Sequence, residues 1–280
     1  MADTITLTLD PETSEILMND FSTFRTDPPQ YALFQCRIDG CTITLYKSGK
    51  AVFQGRTAAQ YAGKYRTAAD TVLPQAGSDE VGTGDYFGPV CVAATVLDRE
   101  SWSKVNQLGV RDSKQLTDSD IRRIAPDLIR LLPHSLLIVS PEKYNDIHRQ
   151  YNMNAVKSLL HNQAYNNLRK KTALPSLIVI DQFTPESSYY RYLKGRGDIV
   201  TGIRFETKAE DKYPAVGAAS IIARYAFLCE MDRISEEWQM EFRKGAGTDV
   251  DECAKRFTER YGKEQLYRVA KLHFKNTERI

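Results

Sequence analysis

Gly77-Ser78-Asp79-Glu80-Val81-Gly82-Thr83-Gly84-Asp85-Tyr86-Phe87-Gly88-Pro89 places three carboxylates among four glycines, directly before the apolar run Val90 to Leu97. The segments 75–81 and 90–97 read as strands, and the Gly-rich turn between them predicts an antiparallel start to a sheet. Vicinal acids beside a buried strand are costly to desolvate, so a metal ion or a proton-transfer role is the natural compensation. Glycine also lets the backbone approach a ligand closely, because no Cβ intervenes. A polar turn at a solvated strand end explains the stretch equally well by itself, so both readings stay open at this point.

The rest of the chain narrows the choice. Its 280 residues are 42% hydrophobic and 26% charged, the balance of a globular protein with one large domain or two unequal ones. No apolar run approaches the roughly 20 residues of a membrane-spanning helix. Met1-Ala2-Asp3-Thr4 lacks both the basic region and the apolar core of a secretory signal, so a cytoplasmic location is expected. Cys36, Cys41, Cys91, Cys229 and Cys253 show no paired spacing and read as structural thiols rather than zinc ligands. A net charge of +2 is too small to argue for nucleic acid, and the local distribution says more.

Residues 1–39 carry seven acids against Arg25 and Arg37, whereas residues 40–66 carry Lys47, Lys50, Arg56, Lys64 and Arg66 and no acid. The second stretch predicts a hairpin, 41–46 and 51–54, turning through Ser48-Gly49, and then a short helix over 58–65. Residues 67–75 lack periodicity and contain Pro74. They are the expected linker between a small α/β domain at 1–66 and a larger domain at 76–280. Beyond it, strands are expected at 135–140, 176–181 and 199–205, and helices at 118–131, 154–171, 186–194 and 214–238. This alternation predicts an α/β fold, a mixed sheet flanked by helices.

Two further acids share the character of Asp79 and Glu80. Asp181 ends the apolar run Leu177-Ile178-Val179-Ile180 and would project into the crevice beyond a buried strand. Glu210 lies in Lys208-Ala209-Glu210-Asp211-Lys212, just before a helix rich in small residues. Ordinary helix-capping roles remain open for both. Four carboxylates with little histidine or cysteine nearby form an all-oxygen ligand set that favours Mg2+ or Mn2+. Two such ions can activate a water and stabilise a leaving oxygen in phosphodiester cleavage. One difficulty is geometric, because adjacent strand residues face opposite sides and Asp79 and Glu80 cannot both address one site from a regular strand.

Ser78-Asp79-Glu80-Val81-Gly82-Thr83-Gly84 with Phe87-Gly88-Pro89, Asp112-Ser113-Lys114, Ile180-Asp181, and Lys208-Ala209-Glu210 followed by Ala218 to Ala223 resemble the ordered motifs of the type 2 ribonucleases H. Within that family the chain is similar to the ribonuclease HIII branch. It has an extension over residues 1–66, Glu210 stands where the ribonuclease HII branch usually has Asp, and its end reads His273-Phe274-Lys275-Asn276-Thr277. The resemblance implies an RNase H-like fold and an endoribonuclease that cuts the RNA strand of RNA–DNA hybrids, leaving 5′-phosphate and 3′-hydroxyl ends. It implies Mg2+ or Mn2+ held by Asp79, Glu80, Asp181 and Glu210. It also implies an N-terminal domain like the TATA-box-binding protein, for which Lys47 and Lys50, with Gln54, fit a phosphate-contacting surface.

Gly82-Thr83-Gly84 stands where the ribonuclease HII branch has Gly-Arg-Gly, so poor handling of a single embedded ribonucleotide is expected. Lys114, Lys208 and Ser220 are candidates for contacts to phosphate or the 2′-hydroxyl, each with a structural alternative. His161 reads as a packing or capping residue, Asp85 as a turn residue, and Tyr86 and Phe87 as either stacking or core groups. A monomer without an obligate protein partner is expected. The competing functions are a ribonuclease HII-like junction enzyme, a non-catalytic hybrid- or DNA-binding protein, and a nucleotide-binding α/β enzyme. The last is disfavoured by the missing third glycine and P-loop lysine.

Overall fold

The computed structural model describes residues 3–65, 71–108, 110 and 116–280. The first part of the chain runs β1 (Asp3–Thr8), α1 (Pro11–Asp20), β2 (Arg25–Thr26), β3 (Ala32–Ile38), β4 (Cys41–Tyr46), β5 (Lys50–Gly55) and α2 (Ala58–Gly63). Its sheet has the order β1-β5-β4-β3-β2, with every neighbouring pair antiparallel. Alternation sorts the two faces. Leu7, Phe34, Cys36, Ile43, Leu45 and Phe53 face inward and are covered by Leu17 and Phe21 from the α1 side and Tyr61, Ala62 and Tyr65 from the α2 side. The other face carries Thr4, Thr6, Thr8, Arg37, Thr42, Lys50 and Gln54, in register across four strands and open to solvent or half open.

The second part runs β6 (Gln75–Val81), β7 (Val90–Leu97), α3 (Arg99–Gln107), α4 (Asp118–Leu131), β8 (His134–Val139), α5 (Pro141–His148), α6 (Met153–Leu168), β9 (Leu177–Asp181), α7 (Glu186–Leu193), β10 (Ile203–Glu206), α8 (Ala209–Lys212), α9 (Pro214–Glu237), α10 (Thr248–Tyr261) and α11 (Leu266–Val269). The sheet order is β10-β9-β6-β7-β8. β10, β9 and β6 are parallel, and β7 and β8 run antiparallel to their neighbours, so the expected mixed sheet is present. One apolar core lies between the sheet and α9 with α4 and α10, and a second lies between the sheet and α6 with α7.

Close packing of α9 on the sheet depends on a missing side chain. A Cβ at Gly77 would stand 2.6 Å from the Ala215 carbonyl carbon and closer still to Val216 N. The helix start is then tied down by Ala215 N–H donating to Gln75 Oε1 at 3.1 Å and by Thr95 Oγ1 donating to Ala215 O at 2.9 Å. The two parts of the chain meet where α2 lies against α8.

Several expected boundaries shift for identifiable reasons. β10 begins at 203 rather than 199, because Gly195, Asp198 and Gly202 adopt positive φ and break the extended run. The helix expected at 154–171 starts at Met153, with Asn152 Oδ1 accepting the Ala155 N–H at 2.9 Å as its cap, and ends at Leu168. Residues 67–70 of the expected linker lie outside the described residues, and Gln75 already belongs to β6. α1, α3 and α5, together with β1 and β3, were not anticipated. No helix among the described residues is long and apolar enough to cross a membrane.

Substituting Gly77→Ala should force β6 and α9 apart. It is expected to cost about 1–3 kcal/mol, the usual range for overpacking, read as a lowered urea midpoint. A midpoint equal to that of the wild type would show that the contact relaxes freely.

Candidate active site

β6 and β9 are adjacent and parallel with Ser78 opposite Ile180, so Asp79 and Asp181 are the next residues along two neighbouring strands. Strands spaced about 4.8 Å apart bring such side chains together. Asp79 is half-buried, and desolvation followed by the charges of Glu80 and Asp181 pushes its carboxyl well above the usual range. The Glu80 backbone N–H, at 2.8 Å, and the Ser220 hydroxyl on α9 oppose that shift. Asp181 Oδ1 accepts the Ala209 N–H at 2.8 Å, which fixes the start of α8 and thereby places Glu210, itself 8% exposed. Lys208, just before, holds a left-handed conformation at φ 53° with an exposed side chain.

Glu80 takes the other face of β6, as strand alternation requires. Its Oε1 is paired with Lys157 Nζ and its Oε2 lies 2.8 Å from His161 Nε2, both from α6. His161 also binds Ser78 Oγ through Nδ1 at 2.7 Å, so one imidazole spans two residues on the same strand face. Burial alone would raise the Glu80 carboxyl, but the His161 and Lys157 hydrogen bonds and charges outweigh it and hold Glu80 below its usual value. An ionised carboxylate only accepts, so Nε2 carries the proton. Fully buried and bonded at both ring nitrogens, His161 is an internal link in the site rather than loose packing.

The remaining expected residues fall into place unevenly. Gly82 has φ 94°, and a Cβ there would run into Pro89 O, so chain packing requires glycine. Gly84 is exposed, with nothing within 4 Å of a Cβ position, and Thr83 between them is half-buried. Ser220 reaches the acids through Asp79. Lys47 and Lys50 are exposed at the β4–β5 turn, on the first sheet and apart from the carboxylates. Lys114 lies outside the described residues. Tyr86 and Phe87 are fully buried and serve the core, and Asp85 Oδ1 accepts the Gly245 N–H at 2.6 Å.

A family model described as Ribonuclease HII matches residues 76–277, and one described as Domain of unknown function (DUF3378) matches residues 4–78. The chain is 41% identical over 276 residues to the ribonuclease HIII of Bacillus licheniformis, covering 89% of this chain and 88% of that protein. It is 42% identical over 275 residues to the ribonuclease HIII of Bacillus subtilis, covering 90% and 88%. The chain belongs to the ribonuclease HIII branch of the type 2 ribonucleases H. The crystal structure of Bst-RNase HIII in complex with Mn2+ aligns with a TM-score of 0.74 at 38% identity, covering 99% of this chain and 97% of that one. This ribonuclease HIII relative is thus a hydrolase of RNase H-like fold.

The donor chemistry at the site fits a hard divalent cation. Asp79 is crowded by Glu80 and Asp181 in a half-buried place, and added positive charge would relieve that crowding. Among the described residues, however, no three His, Cys, Asp or Glu side chains stand close enough together to hold a metal ion. On this ribonuclease H scaffold Glu80 is engaged by Lys157 and His161. That engagement was missed at the level of sequence, although a lysine and a histidine one turn apart on a helix face otherwise buried against a sheet demand a partner.

A second feature of this ribonuclease H joins its C-terminus to the Gly-rich loop. Lys271 is fully buried and donates to Phe87 O at 3.3 Å and Gly88 O at 2.5 Å. Lys271 N–H donates to Tyr86 O, Gly88 N–H to Val269 O, and Thr277 Oγ1 to the Tyr86 hydroxyl. Burial pushes the Lys271 ammonium down to about 7, with the Asp85 charge opposing. The unfolded chain keeps this proton up to about 10.4, so between about pH 7 and 10 the unfolded state binds more protons and stability rises with pH. The stability of the wild type relative to Lys271→Met is expected to climb across that window by at most about 1.4 kcal/mol per pH unit, measured by urea unfolding. A pH-independent difference would refute the assignment.

Proposed function

We propose that the chain is a divalent-metal-dependent endoribonuclease that cuts the RNA strand of RNA–DNA hybrids, with Asp79, Glu80, Asp181 and Glu210 as its metal-binding catalytic set. The observation that carries this reading is the half-buried, mutually repelling pair Asp79 and Asp181 on adjacent parallel strands, with Glu210 anchored beside them through Ala209. Mg2+ or Mn2+ held there would supply activation of a water and stabilisation of the leaving oxygen, giving 5′-phosphate and 3′-hydroxyl ends. The presence of Mn2+ in the Bst-RNase HIII structure supports that choice of cation. Ser220 and the Glu80 N–H orient Asp79, and Asp181 orients the α8 start.

Residues 1–66 act as the substrate-binding domain and residues 76–280 as the catalytic domain. The open face of the first sheet supports this, with threonine hydroxyls, Gln54, Arg37 and Lys50 in register and no acid among its described positions. Such a surface suits sugar and phosphate contacts without sequence readout. Gly84, whose glycine chain packing does not demand, supports close approach of substrate to the 82–84 backbone. Lys208 and Lys114 are assigned to phosphate contact, and Thr83 in place of arginine to weak action on single ribonucleotides. The enzyme is taken to work as a monomer.

Asp79→Asn should reduce cleavage of a labelled hybrid to below about 1% of wild type, since even partners outside a metal's own ligand set cost 10- to 100-fold. Hybrid binding by the variant should persist. Substantial turnover would sink the assignment, and absence of cleavage by the wild type with either metal would favour a purely binding protein. A duplex with one embedded ribonucleotide should be cut far more slowly than a hybrid, and equal rates would point to a ribonuclease HII-like junction enzyme. Replacing Lys47 and Lys50 with alanine should weaken hybrid binding and flatten its salt dependence by up to about two units of log–log slope. An unchanged slope would remove both lysines from the interface.

A further inference from the structure

We propose that Lys157 is a positioning residue that keeps the Glu80 carboxylate engaged on the α6 side of β6, where strand alternation sets it, and releases it when a divalent cation is taken up. The inference rests on the metal-site reading above and adds a residue that the motifs of the family resemblance do not include. Both Glu80 oxygens are engaged on the α6 side, Oε1 by Lys157 and Oε2 by His161. The Lys157 side chain is 11% exposed, and its Nζ stands 4.1 Å from the centroid of the Phe183 ring. The same ring stacks on His161 at 5.3 Å. The ammonium is therefore confined between an aromatic face and one carboxylate, with little water to replace Glu80.

A buried ammonium without a counter-ion is strongly unfavourable, so Lys157 and an incoming cation compete for the same carboxylate. Lys157 neutralises Glu80 while the site holds no ion, which limits the negative charge crowded around Asp79. Cation uptake then carries the cost of breaking the Lys157–Glu80 pair. Removing the Lys157 charge deletes that cost, and arginine keeps it.

The test is isothermal titration of the full chain with MnCl2, without substrate. Wild type, Lys157→Gln, Lys157→Met, Lys157→Arg and Asp79→Asn would be compared, alongside crystal structures of the wild type with and without Mn2+. Lys157→Gln and Lys157→Met should bind Mn2+ at least about fivefold more tightly than wild type, the lower end of ordinary coupling between sites. Lys157→Arg should stay near wild type. In the Mn2+-bound crystal Glu80 should have left Lys157. Unchanged or weaker affinity in the uncharged variants would overturn the proposal. So would a Mn2+-bound structure in which Glu80 still pairs with Lys157, since a carboxylate has lone pairs enough for both. If the uncharged variants fail to fold, that crystal structure decides alone. Failure of wild type to bind Mn2+, or binding by Asp79→Asn as tight as wild type, would instead sink the underlying metal-site reading.

Discussion

Like charges crowded side by side at a half-buried site are the constraint around which this structure is arranged. Two carboxylates 4 Å apart repel by about 4 kcal/mol at an effective dielectric of 20, a large share of the 5–15 kcal/mol that stabilises a whole domain. The parallel register of β6 and β9 makes neighbours of Asp79 and Asp181. Around them the chain gathers donors: the Glu80 N–H and Ser220 hydroxyl for Asp79, and the Ala209 N–H for Asp181. Hydrogen bonds to charged groups contribute about 1.5–3 kcal/mol each, so several are needed to offset the repulsion. Glu80 is handled separately, on the opposite face of the strand, by Lys157 and His161.

Holding these groups in place depends on close packing between elements far apart in sequence. Gly77 lets α9 settle on β6, and that approach brings Ser220 to Asp79. The segment from Val269 to Thr277 laces itself onto Tyr86, Phe87 and Gly88 through backbone bonds and the buried Lys271. The C-terminal stretch containing His273 to Thr277 thus has a structural task beside the Gly-rich loop, with Phe274 packed against Tyr86. Rigidity of the loop is imported from the far end of the chain.

The elements legible in the sequence were those with strong periodicity and clear punctuation. β6, β7 and α4 appear with the expected bounds, because apolar runs or a 3.6-residue stripe lie between evident turn residues. α3 and α5 were missed although Asp98 caps one and Ser140 with Pro141 starts the other. Both are short and mostly polar, so capping was the only signal. In the site, the alternation of strand side chains correctly warned that Asp79 and Glu80 would diverge. It could not say what would receive Glu80, since Lys157 and His161 lie about 80 residues away.

Residue chemistry and order along the chain were enough to define the mixed α/β class and to nominate four acids whose oxygen atoms suit a hard cation. Those conclusions follow from local facts, namely hydrophobic period, glycine placement and the oxygen character of the carboxylates. Which acids meet, and what neutralises them, came only from the tertiary structure. Strand register and helix docking bring together residues of distant sequence position, and the electrostatics of a buried carboxylate depend on those neighbours rather than on its own identity.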